Sequence, residues 1–375
     1  MVWSRDSMTS RVIDYCMISE WWTGVNSTAE TGPKRNPLRT RRGLVGANGT
    51  LPTTPNVDIG TLSRVTTLQS LIRPPALRPG DRVAVLCVSS PLAEQAPLDN
   101  GLAVLRFAGL EPVLYPSATA DGSLRPYLAG DDAMRAKDLT AALTDPDIAG
   151  IIFTKGGYGA QRTLELIDWD DLRALKPKVL AGFSDLTVIL EAVAVKLGWA
   201  SLFSPMVATS RATAHYGFGS LLRTLMRPAE ATQISYPDAV TITPGVARGV
   251  TLGGTIVLLA TSIGTGTSKP ARGGILVLEE VGEQDYRIDR TLTQLRRSGY
   301  LDGVAGIVAG SFDECGPAEQ VEAVITERLG DLGVPMIARA NVGHGGTFQT
   351  FPIGIAAELD ADARTLRLLD PPLEP

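Results

Sequence analysis

The sequence predicts an α/β protein with two domains: an N-terminal domain built on a parallel sheet, and a smaller α/β domain after it. Short apolar segments rich in Val, Ile and Leu alternate with segments in which apolar residues recur every three or four positions. This alternation is typical of an open parallel sheet with helices on both faces. Two turns that contain glycine, at 156–159 and 182–185, come directly after apolar segments. Ligands bind beyond the carboxyl ends of parallel strands, so both turns are candidate sites.

The composition of the 375-residue chain is that of an ordinary globular protein. Hydrophobic residues make up 44% and charged residues 20%, and the length suffices for two domains with their own cores. A net charge of −5 gives no reason to expect a nucleic-acid partner, which needs a basic face. Cys16, Cys87 and Cys315 are odd in number and far apart, which fits neither a disulfide framework nor a zinc site. We therefore expect no metal.

No segment resembles a targeting peptide or a membrane span. Residues 1–30 interrupt their short apolar pieces with charged residues, and nowhere do about 20 apolar residues follow one another. The expected location is the cytoplasm, with no membrane partner.

Residues 1–72 are predicted to be a disordered or weakly ordered extension. They are rich in Thr, Ser, Asn, Gly and Pro, a composition that buries little apolar surface. They also carry a small basic cluster, formed by Lys34, Arg35, Arg39, Arg41 and Arg42. Such a cluster can bind an acidic partner, but a solvated linker is the simpler interpretation.

The first domain is predicted over 74–235 and the second over 248–375. Pattern and spacing in the first predict strands at 81–89, 111–115, 149–154 and 179–181, and helices at 98–108, 131–143, 161–167 and 187–196. The pattern weakens over 207–250, where Pro228, Pro237 and Pro244 occur, and a linker is predicted at 236–247. The second domain is predicted to contain an apolar helix within 253–266, strands at 274–278 and 305–309, helices at 286–298 and 318–329, and a closing hairpin of 351–359 and 365–369.

Ser184 is the candidate nucleophile. It lies in the sharp turn between the predicted strand 179–181 and the predicted helix 187–196. A serine in such a turn projects its hydroxyl above the sheet, and the N–H of the next residue, Asp185, is placed to bind an oxyanion. Two facts oppose this interpretation: a Ser-Asp pair before a helix is commonly an N-cap, and Leu186 stands where Gly-x-Ser-x-Gly turns have their last glycine.

The turn Gly156-Gly157-Tyr158-Gly159 is the candidate for a second oxyanion donor, through the backbone N–H of Gly157. It lacks the Gly-x-Gly-x-x-Gly spacing, and no Lys-Ser/Thr follows, so a nucleotide or other phosphate-bearing cofactor is not expected. A plain strand-to-helix turn remains the structural alternative.

His344 is the better of two candidate general bases. The chain has two histidines; His344 lies in a glycine-flanked loop, whereas His215 lies in the stretch where the pattern weakens. Glu279 and Glu280 end the predicted strand 274–278, and the alternation of a strand directs one carboxylate inward and the other outward. A buried carboxylate needs a partner, and an imidazole N–H is a suitable one.

Together these motifs resemble the LD-carboxypeptidase family of serine peptidases. The resemblance covers about 74–373 and rests on several ordered motifs: Arg78-Pro-Gly-Asp-Arg82, Ser89-Ser-Pro91, Lys155-Gly-Gly-Tyr-Gly159, Gly182-Phe-Ser-Asp185, Leu278-Glu-Glu280 with Tyr286-Arg-Ile-Asp-Arg290, and Gly343-His344 ahead of Phe351-Pro-Ile-Gly354.

The resemblance implies a role for each candidate. Ser184 would be the nucleophile, His344 the general base and Glu279 the carboxylate that orients it, with N–H groups of Asp185 and of the Gly156-Gly157 turn as the oxyanion hole. It also implies a Rossmann-like N-terminal domain that carries Ser184 and a C-terminal domain that carries Glu279 and His344. The implied reaction releases a terminal D-alanine from murein tetrapeptide during peptidoglycan recycling.

Two departures from the family leave the substrate open. Phe203-Ser204-Pro205-Met206 stands where Phe-His-Gly-Pro is common, and Gly253-Gly254-Thr255-Ile256 stands where Gly-Gly-Asn-Leu is common. A sister branch of the family cleaves peptidyl-nucleotide antibiotics of the microcin type. That branch uses an aromatic platform, and no Trp follows Trp199. A third possibility is a Rossmann-like small-molecule binder without catalysis. The expected partners are a murein peptide and, as an open option, a second copy of the chain in a homodimer.

Overall fold

The structure is a computed structural model that describes residues 69–208 and 211–375. Most of the predicted extension therefore lies outside the described residues. The last residues of the extension are described. The Leu71 N–H donates a hydrogen bond to Gly354 O, and Ile72 forms a parallel bridge with Trp199. Regular contacts thus begin slightly before residue 73.

The strands, in chain order, are β1 (Arg82–Leu86), β2 (Glu111–Leu114), β3 (Ile148–Phe153), β4 (Val179–Gly182), β5 (Ser201–Phe203), β6 (Gln233–Ser235), β7 (Val240–Thr243), β8 (Val246–Thr255), β9 (Gly274–Val281), β10 (Gly306–Asp313), β11 (Met336–Ala338), β12 (Phe351–Ile353), β13 (Ala356–Asp360) and β14 (Thr365–Leu368).

The α-helices are α1 (Ala96–Phe107), α2 (Asp132–Thr144), α3 (Ala160–Leu164), α4 (Trp169–Leu172), α5 (Thr187–Lys196), α6 (Arg211–Met226), α7 (Ile256–Ser262), α8 (Asp285–Arg297) and α9 (Ala318–Leu329). Short 3₁₀ turns span Pro116–Thr119, Ser184–Leu186, Pro228–Ala231 and Gly330–Leu332. No helix in the described residues is long and apolar enough to cross a lipid bilayer.

Two mixed sheets confirm the predicted α/β class. The first has the order β12-β5-β4-β3-β1-β2 and is parallel except for β12. The second has the order β6-β14-β13-β8-β9-β10-β11-β7, with a parallel centre of β8 to β11 and antiparallel strands on both sides. Central strands are covered on both faces, and for this reason they are continuously apolar. In β1, for example, Val83 to Leu86 are fully buried.

One large apolar cluster contains side chains from both sheets, including Leu86 and Phe153 from the first and Val277 and Val308 from the second. Two further clusters fill the outer faces. One contains side chains of α1 and α6 with the first sheet, and the other contains side chains of α7, α8 and α9 with the second. The carboxyl ends of β4 and β9, which carry Ser184 and Glu279, are thereby held by packed strands.

The segment in which the sequence pattern weakens is regular in the structure. The weak stretch 207–250 contains α6 and β6, the predicted linker 236–247 contains β7 and the start of β8, and β6 and β7 are the two edges of the second sheet. Edge strands have one partner each and need little apolar surface, so they lack the pattern by which buried strands are recognised.

The predicted closing hairpin is divided between the sheets. β12 pairs with β5 of the first sheet, whereas β13 pairs with β14 and with β8 of the second. The chain changes sheet at Gly354, whose φ of +89° lies in the region that favours glycine. The sequence predicts one continuous strand over 351–359, and the break at Gly354 corrects that prediction.

Candidate active site

The turn after β4 presents Ser184 as the sequence predicts. β4 ends at Gly182, a single 3₁₀ turn spans Ser184–Leu186, and α5 begins at Thr187. Ser184 has φ of +62°, a left-handed conformation that is uncommon for any residue with a side chain. Such strain is typical of a strand-to-helix turn that projects a nucleophilic hydroxyl above a sheet.

His344 lies against this serine. The loop between β11 and β12 carries it, and its Nε2 is 3.1 Å from Ser184 Oγ. The imidazole ring packs on Phe183, with 4.8 Å between the ring centroids. The side chain of His344 retains 18% of its surface, so it is not fully closed off from solvent.

Glu279 holds the other side of the imidazole. Its Oε2 is 2.7 Å from His344 Nδ1 and accepts a second hydrogen bond, of 3.3 Å, from the backbone N–H of His344. Glu279 is fully buried, so its charge depends on these donors rather than on water. A side chain at position 343 would lie 2.5 Å from Oε2, which explains why the residue before His344 is a glycine, with φ of +109°.

The environment of His344 favours its protonated form. Burial alone would lower the pKa of the imidazole, but the hydrogen bond to Glu279 and the negative charge of that residue outweigh burial, and the pKa is raised. Glu280 and Asp313 add weaker attraction of the same sign. The pair therefore favours an imidazolium at His344, a property suited to a general base.

The backbone N–H groups of Gly157 and Asp185 have no hydrogen-bond acceptor within the described part of the chain, and Asp185 directly follows Ser184. A Cβ added to Gly156 would lie 3.2 Å from Ser184 Oγ and 3.3 Å from Asp185 N. The same Cβ would lie 3.0 Å from Ser184 Cβ, so a side chain at 156 would crowd the hydroxyl and the N–H of Asp185. An unpaired N–H group next to a nucleophilic hydroxyl is suited to binding an anionic oxygen.

The side chain of Asp185 has a structural task. It is buried and accepts hydrogen bonds from Ser89 Oγ (2.6 Å) and from Ala160 N (2.8 Å), which ties the Ser184 turn to the ends of β1 and of the glycine turn. Burial raises the pKa of this carboxyl, and the two hydrogen bonds oppose that shift. The backbone N–H of Asp185, not its carboxylate, lies on the side of Gly156.

The sequence predicts that one of the carboxylates of Glu279 and Glu280 points inward and the other outward. The structure contradicts this prediction, because both are buried. β9 is a central strand with packed elements on both faces, so neither direction leads to solvent. Glu280 accepts hydrogen bonds from the N–H groups of Val257, in α7, and of Val281. Burial and the nearby charge of Glu279 raise its pKa to about 7.

His215, the other histidine, lies in helix α6 and not in a linker. Sequence reasoning also missed three side chains around the site. Phe183 supports the imidazole, Ser89 fixes the Ser184 turn, and Thr255 donates its hydroxyl hydrogen bond to Glu279. The sequence motifs that contain these three residues are recognisable, but the residues that they contact lie far away along the chain.

Across residues 69–208 and 211–375, no three His, Cys, Asp or Glu side chains are grouped as a metal site requires.

A serine on a strained strand-to-helix turn, hydrogen-bonded to a histidine that a buried carboxylate orients, defines a serine hydrolase on an α/β fold. Comparison with known proteins specifies the class. The N-terminal domain of LD-carboxypeptidases matches residues 83–204, and their C-terminal domain matches residues 248–359. The chain belongs to the LD-carboxypeptidase family of serine peptidases, as the motifs had indicated.

Relatives extend over most of the chain. A putative carboxypeptidase of Streptomyces coelicolor is 46% identical over 313 residues, which is 82% of this chain and 99% of the relative. The murein tetrapeptide carboxypeptidase of Pseudomonas aeruginosa is 32% identical over 255 residues, 63% of this chain and 80% of that protein. The crystal structure of an MccF-like protein from Bacillus anthracis shares the fold, with a TM-score of 0.71 at 23% identity over 80% of this chain and 99% of that one.

Proposed function

We propose that this protein is a serine carboxypeptidase that hydrolyses an L,D peptide bond and releases the terminal D-alanine of murein tetrapeptide. The observation that carries the proposal is the hydrogen-bonded series Ser184 Oγ, His344 Nε2, His344 Nδ1 and Glu279 Oε2, with distances of 3.1 and 2.7 Å. The name of the Pseudomonas aeruginosa relative supports the choice of substrate.

In the first step, the neutral imidazole of His344 takes the proton of Ser184 Oγ at Nε2 while the oxygen attacks the carbonyl carbon of the scissile bond. Glu279 keeps the tautomer with hydrogen on Nδ1 and stabilises the imidazolium that results. The proton then passes from Nε2 to the leaving amine, the C–N bond breaks, and D-alanine departs. Ser184 remains acylated by the tripeptide.

The tetrahedral intermediate carries a negative charge on the former carbonyl oxygen. We assign its stabilisation to the backbone N–H groups of Asp185, which follows Ser184, and of Gly157 in the neighbouring glycine turn, because neither has an acceptor in the described residues. Fixed dipoles in a partly closed site stabilise such a charge more than water does.

In the second step, a water molecule replaces the amine. His344 accepts its proton, the hydroxide attacks the acyl carbon, and the ester bond to Ser184 breaks as the proton returns to Oγ. Both half-reactions use the same three side chains and need no reactant other than the peptide and one water molecule.

The test is incubation of the protein with purified murein tetrapeptide, followed by mass spectrometry. The expected products are the tripeptide and free D-alanine, with no product from the Ser184→Ala variant. Turnover of a peptidyl-adenylate, without turnover of the tetrapeptide, would assign the protein to the microcin type. Turnover of neither, together with tight binding of a small molecule, would favour a non-enzymatic binder.

The proposal includes a role in peptidoglycan recycling in the cytoplasm, because the substrate is a fragment released from the cell wall and taken up. Sedimentation of the purified full chain tests the homodimer that the sequence left open.

A further inference from the structure

Thr255 links the two halves of the candidate triad. It is the last residue of β8 and is 2% exposed. Its hydroxyl donates a hydrogen bond to Glu279 Oε1, the carboxylate oxygen that His344 does not use. Its backbone N–H donates to Thr187 Oγ1 at 3.1 Å, and Thr187 is the first residue of the helix that follows Ser184.

These contacts close a ring. From Ser184 the hydrogen bonds run through His344, Glu279 and Thr255 to Thr187, which lies three residues after Ser184 on the same turn. Ser184 follows a strand of the first sheet, and Glu279 lies in a strand of the second. The hydrogen bonds of Thr255 therefore connect the two sheets directly at the candidate triad.

The local sequence permits this close approach. A Cβ on Gly254 would lie 2.6 Å from Thr187 Oγ1, and Gly254 has φ of +151°. Only a glycine at 254 allows the end of β8 to pass the side chain of Thr187 at this distance. Gly253, Gly254 and Thr255 thus form one structural feature, the close approach of the end of β8 to Thr187.

We propose that Thr255 is a positioning residue that sets both the orientation and the basicity of the Glu279–His344 pair. The inference rests on the proposed function, because it assigns Glu279 and His344 the roles of orienting carboxylate and base. It goes beyond that function by giving Thr255 a defined effect on the triad.

The physical reason is the burial of Glu279. A carboxylate without access to water is stabilised by the donors around it, and the Thr255 hydroxyl is the donor that serves Oε1. Without this donor, the state in which Glu279 is charged and His344 is neutral loses stability. The state with a proton on the pair loses less, because the imidazolium itself compensates the carboxylate. The pair should therefore hold its proton to a higher pH.

The experiment is an NMR titration of His344 in the intact protein. The chain has two histidines, and His215→Gln assigns the signals. In Thr255→Val we expect the apparent pKa of His344 to rise by roughly half to one unit. A hydrogen bond to a charged group contributes about 1.5–3 kcal/mol, of which we expect roughly half to differ between the two protonation states, and one pKa unit corresponds to about 1.4 kcal/mol. Thr255→Ser keeps the hydroxyl and should restore the wild-type pKa.

Matched controls separate positioning from stability. Thr251 lies in the same strand, is fully buried, and bonds to the backbone of Ile355 instead of to the triad. Thr251→Val should lower the melting temperature without moving the pKa of His344. If Thr255→Val fails to fold, Thr255→Ala and Thr255→Ser provide the same comparison, because they differ by one oxygen atom. A pKa of His344 that is unchanged in the variants without the hydroxyl overturns the proposal.

The titration needs no substrate, so its result is independent of whether murein tetrapeptide is hydrolysed. Turnover by the wild type with an unchanged pKa in Thr255→Val would reject the role of Thr255 alone. A shifted pKa in a protein that hydrolyses nothing would reject the proposed function and leave the effect of Thr255 established. When turnover is observed, the acid limb of the kcat/KM profile should move upward in parallel with the pKa.

Discussion

Glu279 and Glu280 are consecutive residues of β9, yet their carboxylates bind different elements. Glu279 bonds to His344 and Thr255, whereas Glu280 accepts the backbone N–H of Val257 at the start of α7. Both are buried, so the distinction between a triad carboxylate and a structural one depends on geometry and not on exposure.

The two glutamates should respond differently to the same substitution. In Glu279→Gln, the amide still contacts His344 but neither selects the required tautomer nor stabilises the imidazolium, and we expect kcat to fall on the order of 10³–10⁴-fold. Glu280→Gln keeps one acceptor for a backbone N–H and should change kcat by less than about tenfold. Steady-state kinetics on murein tetrapeptide measure both. A large loss of kcat in Glu280→Gln, together with an unchanged kcat in Glu279→Gln, would contradict the assignment of Glu279 to the triad.

Ser184 and His344 should behave as a unit. We expect Ser184→Ala and His344→Ala each to lower kcat by at least about 10³-fold, with the double variant little worse than either, because each removes the same covalent step. Single-turnover assays provide the comparison. His215→Ala is the control for loss of a histidine. Additive losses in the double variant, or abolition of turnover by His215→Ala alone, would remove the basis for the triad.

The pH dependence follows from the raised pKa of His344. The base must be neutral to accept a proton, so kcat/KM should fall as the pH drops through an apparent pKa above the ordinary value of 6.5. In Glu279→Gln, burial would act without the opposing carboxylate, and the acid limb should move to lower pH. A pH series of kcat/KM for both proteins tests the sign. An acid limb that stays in place would mean that Glu279 does not act on the base.

The local sequence specified the Ser184 turn almost completely, because a buried strand, a turn and an apolar helix of fixed lengths leave little choice of geometry. α5 spans Thr187–Lys196, as predicted. Contacts between residues that are distant in sequence could not be predicted in the same way. β6 and β7 are short edge strands, and Ile234 is their one buried residue. The ring through Thr255 joins residues that lie 24 and 68 positions apart. Such contacts depend on how the sheets pack, which no local pattern encodes.

Glu191 should make stability depend on pH. It lies in α5, its Oε1 accepts a hydrogen bond from Ser268 Oγ, and its Oε2 is inaccessible to solvent and unpaired within the described residues. Burial raises the pKa of this carboxyl from 4.5 to about 7. A raised carboxyl pKa contributes stability that is present below pH 4.5 and is lost as the pH rises through 7, here on the order of 3 kcal/mol.

The measurement is urea unfolding of the wild type and of Glu191→Gln between pH 5 and 8, a range in which ~3 kcal/mol is readily resolved. The glutamine variant cannot ionise, so its stability should fall less over this range, although Glu280 contributes a similar loss in both proteins. Substitution of the exposed Glu94 by Gln is the control and should leave the wild-type curve unchanged. Parallel curves for the wild type and Glu191→Gln would show that Glu191 is already ionised in the folded protein at pH 5.

Gly156 offers a test of the oxyanion site that leaves every polar group in place. In Gly156→Ala, the new methyl group would lie 3.2 Å from Ser184 Oγ and 3.3 Å from Asp185 N, where the carbonyl oxygen of the substrate is expected to enter. Loss of one oxyanion contact typically lowers kcat by about 10²–10³-fold, and we expect an effect of that size here.

Gly219→Ala is the matched control. It lies in α6 with no atom within 4 Å of its added methyl group, and alanine in a helix should stabilise the fold by up to about 1 kcal/mol. The methyl group added in Gly156→Ala would lie 3.0 Å from Ser184 Cβ, so Ser184 must shift slightly, but both partners of its hydrogen bond with His344 are retained. The pKa of His344 should therefore stay close to that of the wild type while kcat falls. A Gly156→Ala variant with full activity would mean that the oxyanion binds elsewhere, and the N–H groups of Gly157 and Asp185 would then need another role.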